Sequence, residues 1–388
     1  MNRGIATFTL DFGKCPPWLW QRMVRLGREI VRVLVEEYGP EEFIRRISDP
    51  VWFQSLGTVL AFDWNASGLT TILTAALKES IRGRERDLGI FICGGKGKTS
   101  RKTPDEVMAW GDKLNLPKNY ANSLVHNSKM SAKVDSALVQ DGFQIYHHSL
   151  FFTKKGVWSV VQQGMNTENQ TARRYHWFSE NVHDMIQEPH AGIASQKFFK
   201  KIELNMTSKD SNKNRDLSVD LVNDSFRNVM KDIELLRRHS TRFSQMLSVQ
   251  KGNETLTLMN LENREFGPSD HPVIHEDFSR SRYLEKILFK LTDAKPKSYQ
   301  ELLLTQGVGP KTIRALALVG EVIYGADASR EDPARFSFAH GGKDATPYPV
   351  DTQTYDQTIQ VLRSAVSKSR IDLSEKKKAI KRLDHEAS

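Results

Sequence analysis

The amino-acid sequence predicts an α+β protein built from two modules. Residues 143–163 alternate as paired strands do, and they follow several segments with helical spacing of apolar residues. After residue 216 the apolar pattern is helical. The segment Ser208–Arg215 between these regions is polar and lacks apolar residues, which is typical of a linker. We therefore predict a mixed α/β module over 1–207, a linker over 208–215 and a helical module over 216–388.

Composition and charge indicate a soluble protein with a polyanionic partner. The 388 residues are 39% hydrophobic and 27% charged, and the formal net charge of +9 is not confined to one tail. This distribution favours nucleic acid over a membrane surface. No run approaches the ~18 apolar residues of a membrane-spanning helix. Cys15 and Cys93 are too few for a disulfide scaffold or a thiolate zinc site. We expect a cytoplasmic protein.

The first elements are predicted to be helices. The stretch Trp18–Tyr38 has apolar residues at helical spacing, and Pro17 directly before it is a start signal. Asp49 before Pro50 predicts the start of a second helix, and Leu69–Ile81 predicts a third.

A buried strand and a basic glycine loop come next. Leu88–Cys93 is a largely apolar run that opens into the loop Gly94–Lys102. A strand, a Gly/Lys loop and a helix occur in this order in Walker A motifs, but Ile92 stands where that motif requires its first glycine. We therefore predict no ATP site. Lys96 and Lys98 are instead predicted to contact a DNA phosphate backbone.

The predicted strands Phe143–Phe152 and Val157–Gln163 leave two interpretations open. In one, Asp135, Asp141 and His148 bind Mg or Mn in a metal-dependent nuclease. In the other, the strands are buried on both faces and hydrogen bonds satisfy their histidines.

The stretch Thr171–Trp177 mixes positive charge with aromatic rings. Arg173 and Arg174 stand beside Tyr175 and Trp177, a mixture that suits contact with phosphates and stacking on bases. A surface-exposed basic turn has the same sequence pattern, so we predict DNA contact by both arginines with this alternative open.

A helix, a tight turn and a second helix are predicted around residues 298–316. Ser298 can cap the first helix, and Glu301 three residues later can close a capping box. Gly307 and Gly309 can adopt positive φ and allow close approach of a ligand to the backbone. Pro310 suits the first position of the second helix. The free N–H groups at that helix start can hold a phosphate, so we predict a helix-hairpin-helix.

This hairpin resembles that of the helix-hairpin-helix DNA glycosylases, through Gly307–Thr312 and the later Pro-Val-Asp run that ends at Asp351. The resemblance implies that Lys311 is a Schiff-base nucleophile, that Asp351 is the catalytic carboxylate and that Thr312 contacts DNA. It implies no cofactor. Lys311 and Asp351 are more widely spaced here than in that family. Hairpins of this kind also occur in proteins that only bind DNA, where the lysine contacts phosphate.

Further runs resemble an archaeal and bacterial family, domain-of-unknown-function family 763. They are Gly89–Lys98, Gln140–Gln144, Val160–Asn166, Ala172–Trp177 and His340–Asp344. This resemblance implies a prokaryotic, intracellular protein and supplies no activity. His340 and Lys343 lie shortly before Asp351, so we predict that their loop enters the duplex or shapes a pocket for a flipped base if Asp351 reaches a sugar, with a mobile connector as the open alternative.

The sequence therefore favours a DNA repair enzyme that acts on damaged bases in double-stranded DNA, as a glycosylase with or without a lyase step. The alternatives are the metal-dependent nuclease and a non-catalytic, structure-specific DNA-binding protein.

Overall fold

A computed structural model describes residues 15–60, 66–195, 199, 201–240, 248–251, 254–257, 282–334, 336–337 and 352–387. It confirms the α+β fold class, with a largely antiparallel sheet and many helices. The chain forms two compact units. The first comprises Met1–Ser136, Gly142–Lys200 and Asp332–Ser388, and the second comprises Ala137–Asp141 and Lys201–Glu331.

In chain order, the helices of the described residues are α1 (Pro17–Ser48), α2 (Pro50–Val59), α3 (Ala66–Ser80), α4 (Glu85–Leu88), α5 (Thr103–Leu114), α6 (Lys118–Ala137), α7 (Asn212–Asp224), α8 (Phe226–Ser240), α9 (Arg282–Ala294), α10 (Tyr299–Leu304), α11 (Pro310–Tyr324), α12 (Thr352–Lys368) and α13 (Leu373–Ala387). The strands are β1 (Ile90–Lys96), β2 (Val139–Gln140), β3 (Gln144–Thr153), β4 (Trp158–Asn166), β5 (Thr171–Phe178), β6 (His190–Ser195), β7 (Leu204–Asn205), β8 (Ser248–Lys251), β9 (Glu254–Thr257) and β10 (Phe336–Ser337). Of the helices placed here, none has the length and apolar character needed to cross a membrane.

The first two helices start where local signals predict. Pro17 occupies the first turn of α1, which continues past a kink at Gly39, where φ is +84°. The Asp49 carboxylate accepts the N–H groups of Val51 (2.7 Å) and Trp52 (3.1 Å) and so caps α2. Both observations confirm the predicted helix starts.

A six-stranded sheet organises the first unit in the order β1-β3-β4-β5-β6-β10. Neighbouring strands are antiparallel except for β10, which pairs in parallel with β6. One face joins a core with α1–α3, α12 and α13, to which Ile92, Phe151 and Val161 contribute. Side chains of α5 and α6 contact the other face. Strands β3, β4 and β5 are buried over most of their length, which confirms the predicted burial of the strands on both faces.

The second unit contains α7–α11 and the short pairs β2–β7 and β8–β9. The predicted linker is wrong, because Lys209–Ser211 forms a 3-10 helix that runs into α7. Within it Arg215 is buried and donates to the carbonyls of Met206 and Ser208. A polar stretch can thus be ordered when its side chains satisfy backbone acceptors. The predicted helical module also differs, since α12 and α13 belong to the first unit.

Candidate functional site

The predicted pair of helices around residues 298–316 is present in the second unit. We refer to residues 298–324, with α10, its following turn and α11, as the hairpin. Ser298 Oγ accepts the N–H of Glu301 at 3.2 Å, which confirms the predicted cap of α10. The Glu301 carboxylate accepts the N–H of Lys297 (2.8 Å), one residue before the expected partner. Local sequence therefore fixes where the hairpin begins.

The turn between the helices is shaped by one glycine. Gly307 has φ +98°, and a Cβ built on it would lie 2.2 Å from Ile287 Cδ1 of α9. Gly309 is extended, with φ −152°, and serves as the N-cap residue of α11. The prediction of positive φ is confirmed at Gly307 and wrong at Gly309. The turn thus needs glycine at Gly307 for both backbone conformation and space.

The start of α11 presents a cation to solvent. Pro310 occupies the first turn, as predicted, and the N-cap residue makes no side-chain cap hydrogen bond. Lys311 is exposed, whereas Thr312 is buried with 2% of its surface accessible. The predicted DNA contact through Thr312 is therefore wrong for its side chain, which packs inward. Solvent rather than an apolar wall surrounds Lys311, so the desolvation expected of a nucleophilic amine is not seen at this residue.

Helix α9 forms a wall beside this turn. The Tyr283 hydroxyl donates to the carbonyl oxygen of Gly307 at 3.2 Å, while 63% of the residue stays exposed. Ile287, one helical turn further, is buried against Gly307. The candidate site therefore combines the turn, Lys311 and the exposed face of α9.

Three predicted site residues cannot be placed. Asp351, His340 and Lys343 lie outside the described residues. The catalytic carboxylate and the predicted wedge loop therefore stay predictions.

A second basic surface lies in the first unit. Lys96 ends β1, and Lys98 lies on the 3-10 helix Gly97–Lys102 that follows. Both lysines are exposed, as predicted, and the Lys96 ammonium lies 5.8 Å from the centre of the Tyr146 ring. The loop has the exposed charge that a phosphate contact requires.

The predicted DNA contacts of Arg173 and Arg174 are wrong, because both side chains are fully buried in β5. The Arg173 guanidinium forms a bidentate ion pair with Asp332, with both N–O distances at 2.8 Å. It also lies over the rings of Phe143 (4.9 Å) and Phe199 (5.2 Å).

Arg174 points to the opposite face of the sheet. It donates to the Gln54 side chain, to Thr70 Oγ1 and to the Pro50 carbonyl, and its Nε lies 2.8 Å from His176 Nε2. Burial lowers the pKa of Arg174 to about 9. Both arginines are thus internal parts of the fold.

A buried polar cluster between α6 and the strands β4, β5 and β6 replaces the predicted metal site. Asp135 is fully buried and accepts hydrogen bonds from Trp177 Nε1 (3.0 Å), His190 Nε2 (2.5 Å) and the Gln162 amide. These donors occupy the carboxylate oxygens that a metal ion would need.

The His148 side chain is also buried and has a hydrogen-bond partner. Its Nε2 lies 2.8 Å from Ser128 Oγ, and burial lowers the pKa of its ring. Asp141 belongs to the second unit. No group of three or more ligands for a metal ion occurs within the described part of the chain. The prediction that Asp135, Asp141 and His148 bind Mg or Mn is therefore wrong for these residues.

A family model described as "Protein of unknown function (DUF763)" matches residues 4–350. The chain belongs to the DUF763 family. No curated protein and no solved structure matches the chain. For this DUF763 protein, a functional conclusion must rest on the residues themselves.

Sequence reasoning missed the contribution of α9 to the candidate site of this DUF763 protein. Tyr283 and Phe289 of α9 are 63% and 59% exposed. A helical projection of Arg282–Ala294 places Phe289 about 100° or more from Leu284, Ile287 and Leu288, which are buried. Tyr283 projects about 40° from Ile287, at the edge of the buried stripe, so the projection was a signal for Phe289 alone.

Proposed function

We propose that this DUF763 protein is a DNA-binding repair enzyme that contacts the phosphate backbone of double-stranded DNA through its hairpin. The observation that carries the proposal is the exposed start of α11, where Lys311 stands directly after the glycine turn. Backbone N–H groups in the first turn of a helix and an adjacent ammonium are both favourable partners of a phosphate. The formal net charge of +9 supports a polyanionic partner.

The exposed lysines Lys96 and Lys98 supply further phosphate contacts in this proposal. They lie on a loop whose following helix begins within a few residues. Contacts of this kind strengthen binding without reading sequence.

The proposed reaction is removal of a damaged base, and it rests on the resemblance of the hairpin to those of DNA glycosylases. Lys311 is the candidate nucleophile, since its amine is accessible at the turn. The amine attacks C1′, the C1′–N bond breaks, the base leaves with the electron pair and takes up a proton, and ring opening of the sugar gives a Schiff base. At an existing abasic site the same amine condenses with the C1′ aldehyde, and water leaves. Asp351 is the proposed carboxylate that assists proton transfer.

The binding step is tested by fluorescence anisotropy of the full chain on a duplex oligonucleotide over a series of salt concentrations. Lys311→Ala should weaken binding and reduce the slope of log K against log salt by about one. Lys311→Arg should keep most of the affinity because it keeps the charge. Lys213→Ala removes an exposed lysine of α7, outside the hairpin, as a matched control. Equal affinities for the wild type and Lys311→Ala would exclude the hairpin as the interface.

The chemical step is tested by borohydride reduction of complexes with an abasic duplex in EDTA. The wild type should form a covalent adduct, and Lys311→Arg should form none although it binds. If the wild type binds the duplex and yields no adduct, the hairpin is a binding element without lyase chemistry.

A further inference from the structure

The exposed side of α9 carries two large aromatic rings, and one of them, Tyr283, contacts the hairpin turn. Tyr283 is 63% exposed and Phe289 is 59% exposed. From these rings we infer that α9 stacks on unpaired bases, so that the preferred substrate is DNA with an unpaired stretch within a duplex. The inference rests on the proposed contact of the hairpin with DNA and names the class of DNA that the site selects.

The Tyr283 ring is fixed in place although it is exposed. Its hydroxyl donates to the carbonyl oxygen of Gly307 (3.2 Å), which ties the end of the ring to the turn. The same glycine packs against Ile287, so α9 and the turn are held together. A nucleotide whose phosphate lies at the start of α11 would therefore find a pre-oriented ring next to it. Such a ring loses little conformational freedom when it binds.

The second ring is supported from the side. Phe289 packs edge-on against Phe226, with ring centres 5.5 Å apart and planes at 82°. Six residues separate it from Tyr283, which is about 9 Å along the helix axis. This distance exceeds the spacing of directly stacked bases, so each ring would contact a different base.

The charge of the helix identifies a polyanion as the occupant. Arg282 and Lys286 are exposed and Lys290 is half-buried, and these three cations outnumber Glu285 and Asp293 on α9. Cations interleaved with aromatic rings suit a strand that offers phosphates and base faces together. An intact duplex hides its base faces within the stack, whereas an unpaired stretch exposes them.

The test is fluorescence anisotropy of the full chain with three labelled DNAs of equal length. They are a duplex, a duplex with a central unpaired bubble, and a single strand. We expect the bubble to bind about a hundredfold more tightly than the duplex, because each of the two stacked bases contributes on the order of a factor of ten. Tyr283→Leu and Phe289→Leu should each lower the ratio of bubble affinity to duplex affinity about tenfold. Tyr324→Leu, at another exposed aromatic residue at the end of α11, should retain it.

The outcomes separate this inference from the proposed function. If wild-type protein binds bubble and duplex equally while Lys311→Ala weakens both, the inference is overturned and the proposed function stands. If no DNA binds, both fail. Tighter binding of the single strand, or of an added RNA strand of the same sequence, than of the DNA bubble also overturns the inference. If Tyr283→Leu does not fold, as judged by circular dichroism, the inference is tested with Phe289→Leu and Tyr283→Phe instead. Tyr283→Phe keeps the ring and removes the hydroxyl. If Tyr283→Phe binds the bubble more tightly than Phe289→Leu does, the result supports stacking, and equal affinities contradict it.

Discussion

Replacing Gly307 with alanine should destabilise the second unit, for two separate reasons. The backbone φ of +98° lies in the region that residues with a side chain rarely adopt, which costs of the order of 1–3 kcal/mol. The new Cβ would also lie 2.2 Å from Ile287 Cδ1 and 3.3 Å from the Tyr283 hydroxyl. Relieving such overlap in a packed region usually costs about 1–3 kcal/mol. We therefore expect the free energy of unfolding of this unit to fall by about 2–6 kcal/mol.

The measurement is urea denaturation combined with amide hydrogen exchange in α9, α10 and α11. Gly309→Ala is the matched control, because Gly309 is extended and its added Cβ meets no described atom within 4 Å. The control should change stability by less than about 0.5 kcal/mol. Duplex affinity should fall in Gly307→Ala, since displacement of Tyr283 or Ile287 moves the turn. Equal stability of the two variants would refute the argument that α9 and the turn form one rigid element.

Two further predictions concern the first unit. Burial lowers the pKa of His147 to about 3, so below pH ~6.5 the unfolded chain binds a proton that the folded one excludes. The free energy of unfolding should therefore fall by up to about 1.4 kcal/mol per pH unit from this side chain as pH drops towards 3, and His147→Gln should flatten that slope in urea titrations. Asp332→Asn should cost about 3 kcal/mol by removing the bidentate partner of the buried Arg173. Combining it with Arg173→Leu should cost less than the sum, and strict additivity would contradict the pairing.

Signals that act between near neighbours in the chain predicted the structure well. Ser298 and Asp49 cap their helices because the groups they satisfy lie within three residues of them. Proline at the start of α2 and α11 follows from its fixed φ and missing donor. The alternating pattern of Phe143–Phe152 likewise predicted β3 to within one residue at each end. Local chemistry therefore accounts for most element boundaries.

Burial of charge could not be predicted in the same way. Arg173 pairs with a carboxylate 159 residues away, and Arg174 donates to Gln54, 120 residues away. Nothing near Thr171–Trp177 in the sequence indicates that such partners exist. An arginine between aromatic residues has the same local pattern in a DNA-contacting strand and in a strand buried on both faces. Only the tertiary structure shows that this strand is internal.

The same limit applies to the polar cluster around Asp135. A carboxylate and histidines on neighbouring elements are typical of a metal site, yet here the carboxylate accepts three side-chain donors. Such a cluster fixes the position of α6 on the sheet, because an unsatisfied buried carboxylate is costly. Its residues therefore explain the packing of the first unit rather than a reaction.

The candidate site shows how a local motif depends on a distant element. The sequence from Ser298 to Thr312 predicts the hairpin, but the position of its turn is set by Tyr283 and Ile287 of α9. Gly307 is required because Ile287 occupies the space that a side chain would need. The carbonyl oxygen of Gly307 accepts the hydrogen bond that orients the exposed Tyr283 ring. If the proposed function holds, the turn contacts phosphate and the supporting helix α9 adds the aromatic rings from which we infer a preference for unpaired DNA.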